Sequence, residues 1–479
     1  MKFKELIDAV TEDVTFYRDI QNKEAFFAEY YDGQGVQIFT RLESEDFRAF
    51  LCMRALEITD DEQMLNEKSA IKFLRHQLKY YGCPNKTEVF IRTAGDLENG
   101  IEYDLKDDKQ RSVIVTDEGW KTSKEKYHKF LSSSSSFAQV KPRKSDKGVL
   151  ELLKPFVNLD GSDYVLFVVW LVQAFCSGHH SALLVSAPKG CGKSSTSRLI
   201  RLLLEPSEID VTRFSKTEEK LLVTLSNLYL VCFDNVRDIT VEQSDLLCSA
   251  ITGSTAAGRT LFTNNDLFVQ KLHNTVVING ISVLPKETDL AERFLIVNLK
   301  KISEGKRKRE KEFWDSFNQE RPYILGAIFD TLSKAMVHFK TLNLKNMPRM
   351  ADSFADMVAI ALALGISEEE FRAIYDDNVA KMNKLRSETP IVKAVKDLMT
   401  SLNGRRSVED TAENILERLR STYTGDINDL PADASHLTRA AEEDHKALLE
   451  AGFRMNIDDT FSDATRIKII KKKPKRTKK

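Results

Sequence analysis

The sequence predicts an α/β fold built around a buried parallel sheet, and three stretches predict it. From Ser181 to Leu203, a short apolar run leads into the glycine-containing segment Ala187–Gly192 and then into a run of helical period. From Asn227 to Asp234 a continuous apolar run ends on an acid, and from Asn274 to Gly280 another ends on an amide and a glycine. Short apolar runs without alternation, bounded by turn residues, suit strands covered on both faces.

The first stretch carries the chemistry. A strand, a loop and a helix in that order make Pro188, Lys189, Gly190, Cys191, Gly192, Lys193, Ser194 and Ser195 a phosphate-cradling P-loop. Gly190 and Gly192 let the backbone curl so that its N–H groups face phosphate oxygens, and the helix N-terminus adds partial positive charge. Lys193 is then the phosphate-binding lysine, and Ser194 the hydroxyl that ligates Mg2+ bound with ATP. The first position is Ala187 rather than glycine, a departure from the strict pattern. Asp234, about forty residues after Lys193, is expected to hold the metal-bound water from the end of its strand. Asn279 can position the attacking water or touch the γ-phosphate; its simpler role is a turn with Gly280. Arg293, directly before the apolar run Phe294–Leu299, can reach the γ-phosphate of a neighbouring subunit.

Composition limits the alternatives. With 479 residues, 42% hydrophobic and 30% charged, the chain suits several soluble domains. A net charge of −1 leaves any nucleic-acid binding to local patches. Six scattered cysteines without a C-x-x-C pair suggest reduced thiols in a cytoplasmic protein and no zinc site. Charges interrupt the apolar pattern of the first eight residues, so no signal peptide is expected. The longest apolar run, Tyr164–Cys176, is too short to span a bilayer and contains Gln173; a buried helix is expected, with no membrane partner.

In chain order, residues 1–145 are expected to form an α+β accessory domain. It has a strand near Val36–Thr40, helices over 44–56 and 61–81, and an antiparallel meander from Val89 to Lys121. Five serines at 132–136 and the polar run to Lys147 mark its end. The nucleotide-binding core is assigned to 146–302. Within it, two short strands flanking Thr263–Asp266 make a hairpin whose Arg259 and Lys271 could track nucleic acid, or simply be solvated charges. Helices over 311–341, 349–364 and 367–386 give an all-α lid, 303–388, the last opened by Ser367 with Glu370. Residues 389–470 read as three helices (391–402, 408–421, 433–451) and a terminal hairpin, a winged-helix-like domain suited to DNA or to protein docking. A basic tail, 471–479, ends the chain.

Taken together, Lys193, Asp234–Asn235, the basic hairpin, Asn279 and Arg293 form a series that resembles the superfamily 3 helicases, a branch of the AAA+ ATPases. More closely, it resembles the bacterial and phage mobile-element relatives of poxvirus-type primase–helicases. Phe233–Val236, Ile278–Ile281 and Asp289–Arg293 are similar to that family's signatures. Phe90–Thr93, Tyr103–Leu105 and Thr116–Trp120 look like the β region before its motor, and Pro348–Phe354 like the helical region after it. The resemblance implies an AAA+ core and a homo-oligomeric ring, usually a hexamer. ATP would lie between subunits, with Lys193, Ser194, Asp234 and Asn279 on one side and Arg293 on the other. It implies 3′-to-5′ movement on single-stranded DNA during replication of a phage or mobile element, in company with a primase or replication initiator. Asn235 stands where many relatives carry a glutamate general base. Asp234 then both orders magnesium and polarises water, or another carboxylate is the base. No primase signature is present. Two other readings stay open: an ATP-driven switch or remodeller of protein partners, for instance in phage defence, and a scaffold using ATP only to oligomerise.

Overall fold

The computed structural model describes residues 2–61, 65–132, 135–188, 190–236, 239–259, 267–280, 287–302, 309–387, 389–425, 427–458 and 465–471. The chain forms two compact units, residues up to Tyr375 and residues from Asp376 on.

The first unit begins with β1 (Thr15–Asp19), β2 (Phe26–Tyr31), β3 (Gln37–Arg41) and β4 (Asn85–Thr87), in sheet order β3-β2-β1-β4. Helices Phe3–Val10, Glu45–Thr59 and Glu67–Tyr81 cover the sheet. Ser44 caps the second helix by accepting from the Phe47 amide, and Asn66 caps the third by accepting from Ser69. That cap starts the third helix at Glu67 rather than near Asp61, because an Asn side chain satisfies a free N–H of the first turn. Leu6, Ile7, Phe26, Phe47, Leu51 and Leu74 fill a core of their own.

Then come β5 (Val89–Phe90), β6 (Thr93–Asp96), β7 (Gly100–Asp104), β8 (Ser112–Thr116), β9 (Gly119–Ser123) and β10 (Lys129–Phe130). β6 to β9 form the antiparallel meander, and β10 pairs parallel with β5. Its inward residues Ile101, Tyr103, Val113 and Val115 belong to the same core as the helices Gly161–Gln173 and Glu310–Phe339. The Tyr103 hydroxyl donates to the Leu204 carbonyl at 2.9 Å, and Trp120 Nε1 to Asp330 at 2.9 Å. The polar stretch around 132–147 is therefore not a break between cores. Polar composition records exposure along the chain and says nothing of which surface a sheet covers. Part of that stretch lies against the long helix: the Arg143 amide donates to the Pro322 carbonyl at 2.9 Å. Gly326 permits the approach, since a Cβ there would stand 1.8 Å from the Arg143 carbonyl oxygen.

The central sheet is wholly parallel. It takes β11 (Ala182–Ser186), β12 (Thr212–Arg213), β13 (Leu230–Asp234), β16 (Thr275–Gly280) and β17 (Phe294–Asn298) in the order β12-β13-β16-β11-β17. Between β13 and β16, β14 (Thr255–Arg259) and β15 (Leu267–Lys271) form a separate antiparallel hairpin. Helices Glu310–Phe339 and Ala351–Ala363 complete the unit, and Glu368–Ser387 continues from it. No single helix among the described residues is long and apolar enough to cross a membrane. The pair Val149–Phe156 and Gly161–Gln173 passes that test only jointly, across a 112° bend, and lines the core.

The second unit has helices Pro390–Ser401, Ala412–Thr422, Ala434–Glu443 and His445–Glu450 and a sheet of β18 (Ser407–Thr411), β19 (Phe453–Asp458) and β20 (Arg466–Lys471), ordered β18-β20-β19. Ser407–Thr411, expected at the start of a helix, is a strand; Thr411 accepts from the Asn414 amide and so starts the helix at Ala412. The helix expected over 433–451 breaks at Asp444, whose carboxylate accepts from Thr389 Oγ1 at 2.6 Å. Tail residues 472–479 lie outside the described residues.

Candidate nucleotide-binding site

The strand order creates the site. The chain leaves β11, travels to the far side for β12, returns through β13 and β16, and crosses β11 to place β17. The carboxyl end of β11 is thus a point where the winding reverses, where open parallel sheets place ligands. The loop after β11 turns at Gly190 (φ +78°) and Gly192 (φ +92°), a left-handed region that a Cβ makes costly. Helix Lys193–Leu204 starts at once, aiming its free N–H groups at the loop's concavity. Lys193 Nζ donates to the Ala187 and Pro188 carbonyls at 2.5 and 3.0 Å, inside the loop. Cys191 is buried and Ser195 exposed. Lys189 lies outside the described residues.

Asp234 ends β13, two places across the sheet from β11. Its Oδ2 accepts from Ser194 Oγ at 3.3 Å, which joins the two residues expected to share a metal ion. A hydroxyl and a carboxylate beside a helix N-terminus fit magnesium, which keeps several waters and takes few protein ligands. Among the described residues no three His, Cys, Asp or Glu side chains converge to hold a metal by themselves.

Asn279 is in the site but fully buried. Its Oδ1 accepts from the Asn235 amide at 2.9 Å, its Nδ2 donates to Ser197 Oγ at 3.1 Å, and its carbonyl accepts from the Val236 amide at 3.2 Å. In this arrangement Asn279 braces the turn after β13 instead of facing outward. Asn235 takes φ +53°, a left-handed conformation that Asn tolerates better than most residues. That geometry gives position 235 a conformational reason to be asparagine.

Sequence reasoning passed over Ser197, although it lies one turn beyond Lys193 and so on the same helix face. It also passed over Glu205, which is 1% exposed. Glu205 accepts from Arg201 Nη1 at 2.9 Å and from the Tyr229 and Leu230 amides at 3.3 and 2.8 Å. That pair ties the end of helix Lys193–Leu204 to the start of β13. Nothing about an acid after an apolar run signals a buried role.

Arg293 stands at the other end of the sheet. Its carbonyl accepts from the Ala182 amide at 2.8 Å, and Ala182 and Ser186 pair with Phe294 and Asn298. The length of β11, about 13 Å at about 3.3 Å per residue, separates Arg293 from the glycine-containing loop that follows β11. Its Nη1 donates to the Asp289 carboxylate at 2.5 Å.

The hairpin springs from that same end. The Leu272 amide donates to Ser254 and the Asn274 amide to Ala250, at 3.2 and 3.0 Å. Arg259 pairs in register with Leu267 and Lys271 with Thr255, so the two basic positions lie at opposite ends of the hairpin. The Thr263–Asp266 turn lies outside the described residues. At the hairpin's root His180 donates to or accepts from Thr275 Oγ1 at 2.9 Å, while burial, then His273 and His179, hold its pKa well below the usual histidine range.

No curated protein matches the chain. Among solved structures, the A-form apo NrS-1 C-terminal region aligns over 98% of this chain and 99% of that one, at 12% identity and a TM-score of 0.40. Another apo structure of the NrS-1 C-terminal region covers 96% of this chain and 97% of its own, at 11% identity and a TM-score of 0.40. A JCV helicase bound to an acetamide compound aligns over 49% of this chain and 64% of its own, at 15% identity and a TM-score of 0.26. Over residues 150–381, a span that contains Pro188–Ser195, Asp234, Asn279 and Arg293, the chain is similar to the actinomycete integrative conjugative element replication protein family.

Proposed function

We propose that the chain is an ATP-hydrolysing motor of the superfamily 3, AAA+ type that moves on single-stranded DNA during replication of a mobile element. The observation that carries the nucleotide site is the 3.3 Å contact between Ser194 and Asp234, forty positions apart. The replication setting rests on the family similarity over residues 150–381.

Lys193 would exchange its two loop carbonyls for phosphate oxygens of ATP, with the loop amides holding the rest of the chain of phosphates. Ser194 and Asp234 would hold Mg2+, which when bound neutralises charge building on the phosphates. Asp234 accepts hydrogen bonds and so can orient a water. Asn279 fixes Asn235, and with it the turn that carries Asp234. Arg293 cannot reach this pocket in its own chain, so it would stabilise transferring phosphoryl charge in the pocket of the next copy. A head-to-tail contact of that kind makes a ring where its rotation closes, and that ring would be the expected hexamer.

The test mixes two inactive chains, Lys193→Ala and Arg293→Ala, and measures single-stranded-DNA-stimulated ATPase activity. By random pairing about one interface in four joins an intact P-loop to an intact arginine, so activity returns to roughly that fraction. Mixtures as inactive as their parts overturn the shared pocket, and a wild-type rate indifferent to added oligonucleotide overturns the DNA motor.

A further inference from the structure

Arg293 does not stand alone at its end of the sheet. Asp289 offers one carboxylate oxygen to Arg293 and the other to Arg349, which precedes the Ala351–Ala363 helix. Arg349 also pairs with Glu292 at 2.5 Å. Two guanidinium groups thus balance two carboxylates. The partition is unequal: the Arg293 side chain is 12% exposed, whereas Arg349 is 45%, Asp289 50% and Glu292 41%. Arg293 Nε is buried without a partner among the described residues, leaving this guanidinium a donor that the cluster does not use.

From this cluster we infer that Arg349 is a positioning residue for Arg293, resting on the proposal that Arg293 serves a neighbouring nucleotide. Arg349 draws one oxygen of Asp289 and one of Glu292 to itself. Asp289 therefore holds Arg293 Nη1 by one carboxylate oxygen and its backbone carbonyl, instead of gripping the guanidinium with both carboxylate oxygens, the bidentate arrangement that arginine and carboxylate favour. Arg349 also cancels the negative charge that Glu292 would otherwise turn toward an incoming triphosphate. Without Arg349 the same surface carries one net negative charge, and Arg293 is drawn back onto Asp289.

The test uses full-length Arg349→Ala, with Arg349→Gln as a second variant of similar bulk, and Arg293→Ala as the reference. Expected for both Arg349 variants are a loss of kcat on the order of tenfold or more and unchanged binding of a fluorescent ATP analogue, because their own P-loop is intact. Mixing either with Lys193→Ala chains restores turnover, and adding Glu292→Gln to Arg349→Ala restores part of kcat by removing the unbalanced charge. A structural defect would follow neither mixing nor charge. Wild-type kcat in both Arg349 variants, with Arg293→Ala inactive, overturns this inference alone. Loss of kcat that neither mixing nor Glu292→Gln relieves also overturns it. Full activity in Arg293→Ala overturns the underlying reading of the shared pocket.

Discussion

Replacing Asn279 by alanine tests whether that side chain braces the site or touches the nucleotide. At full burial the substitution removes an acceptor for the Asn235 amide at 2.9 Å and a donor to Ser197 at 3.1 Å. Each net hydrogen bond contributes about 1 kcal/mol, and the small void adds to the loss, so the expected destabilisation is about 2–3 kcal/mol. The left-handed Asn235 backbone also loses the bond that holds it, and backbone of this kind costs on the order of 1–3 kcal/mol when it is not held. The turn relaxes and Asp234 moves relative to Ser194. A misplacement of about 1 Å is enough to cost about 100-fold in kcat. Urea unfolding followed by the fluorescence of fully buried Trp170 reads the stability, and steady-state ATPase reads the rate. ATP affinity stays close to wild type, since Lys193 and the loop amides are untouched. A lost rate with unchanged stability would refute the brace and favour direct contact with nucleotide or water. Stability and rate both unchanged would refute any role for Asn279.

Two further predictions concern regions outside the loop after β11. Burial, with smaller contributions from Asp96 and Asp352 and partly offset by a hydrogen bond from Gln173, pushes the Asp356 carboxyl up to about 7. A raised carboxyl favours the fold while protonated, so this contribution is whole below about pH 4 and is lost as pH climbs through about 7. Asp356→Asn should therefore flatten the decline of Tm between those limits; an unaltered pH profile would contradict the raised carboxyl. Replacing Arg259 and Lys271 together should weaken single-stranded DNA binding and lower the slope of log affinity against log salt by about 1.4, at about 0.7 per phosphate contact. Equal loss of ATP binding, or an unchanged slope, would rule out phosphate contacts by these residues.

Local sequence could show elements whose cause is local. The caps at Ser44 and Ser367, the unbroken apolar strands and the strand–loop–helix at 182–204 each rest on neighbours a few residues apart. The Ser407–Thr411 strand was hidden because pairing with residues 466–470 decides it, against a helix signal that begins only at Thr411. The meander's membership in the central core was hidden for a related reason. Alternation shows that one face of a strand is buried, but not which surface buries it.

The sequence alone determined that a glycine-containing loop precedes a helix, and that an acid and an amide end two buried strands, because residue type and spacing suffice for both. Only the tertiary structure decided that Asp234 meets Ser194, and that Asn279 turns inward to Asn235 and Ser197. It alone also set Arg293 a strand's length from its own loop, beside Arg349. Those relations follow from strand order and parallel register, fixed by packing between residues far apart in the chain, and no local spacing encodes them.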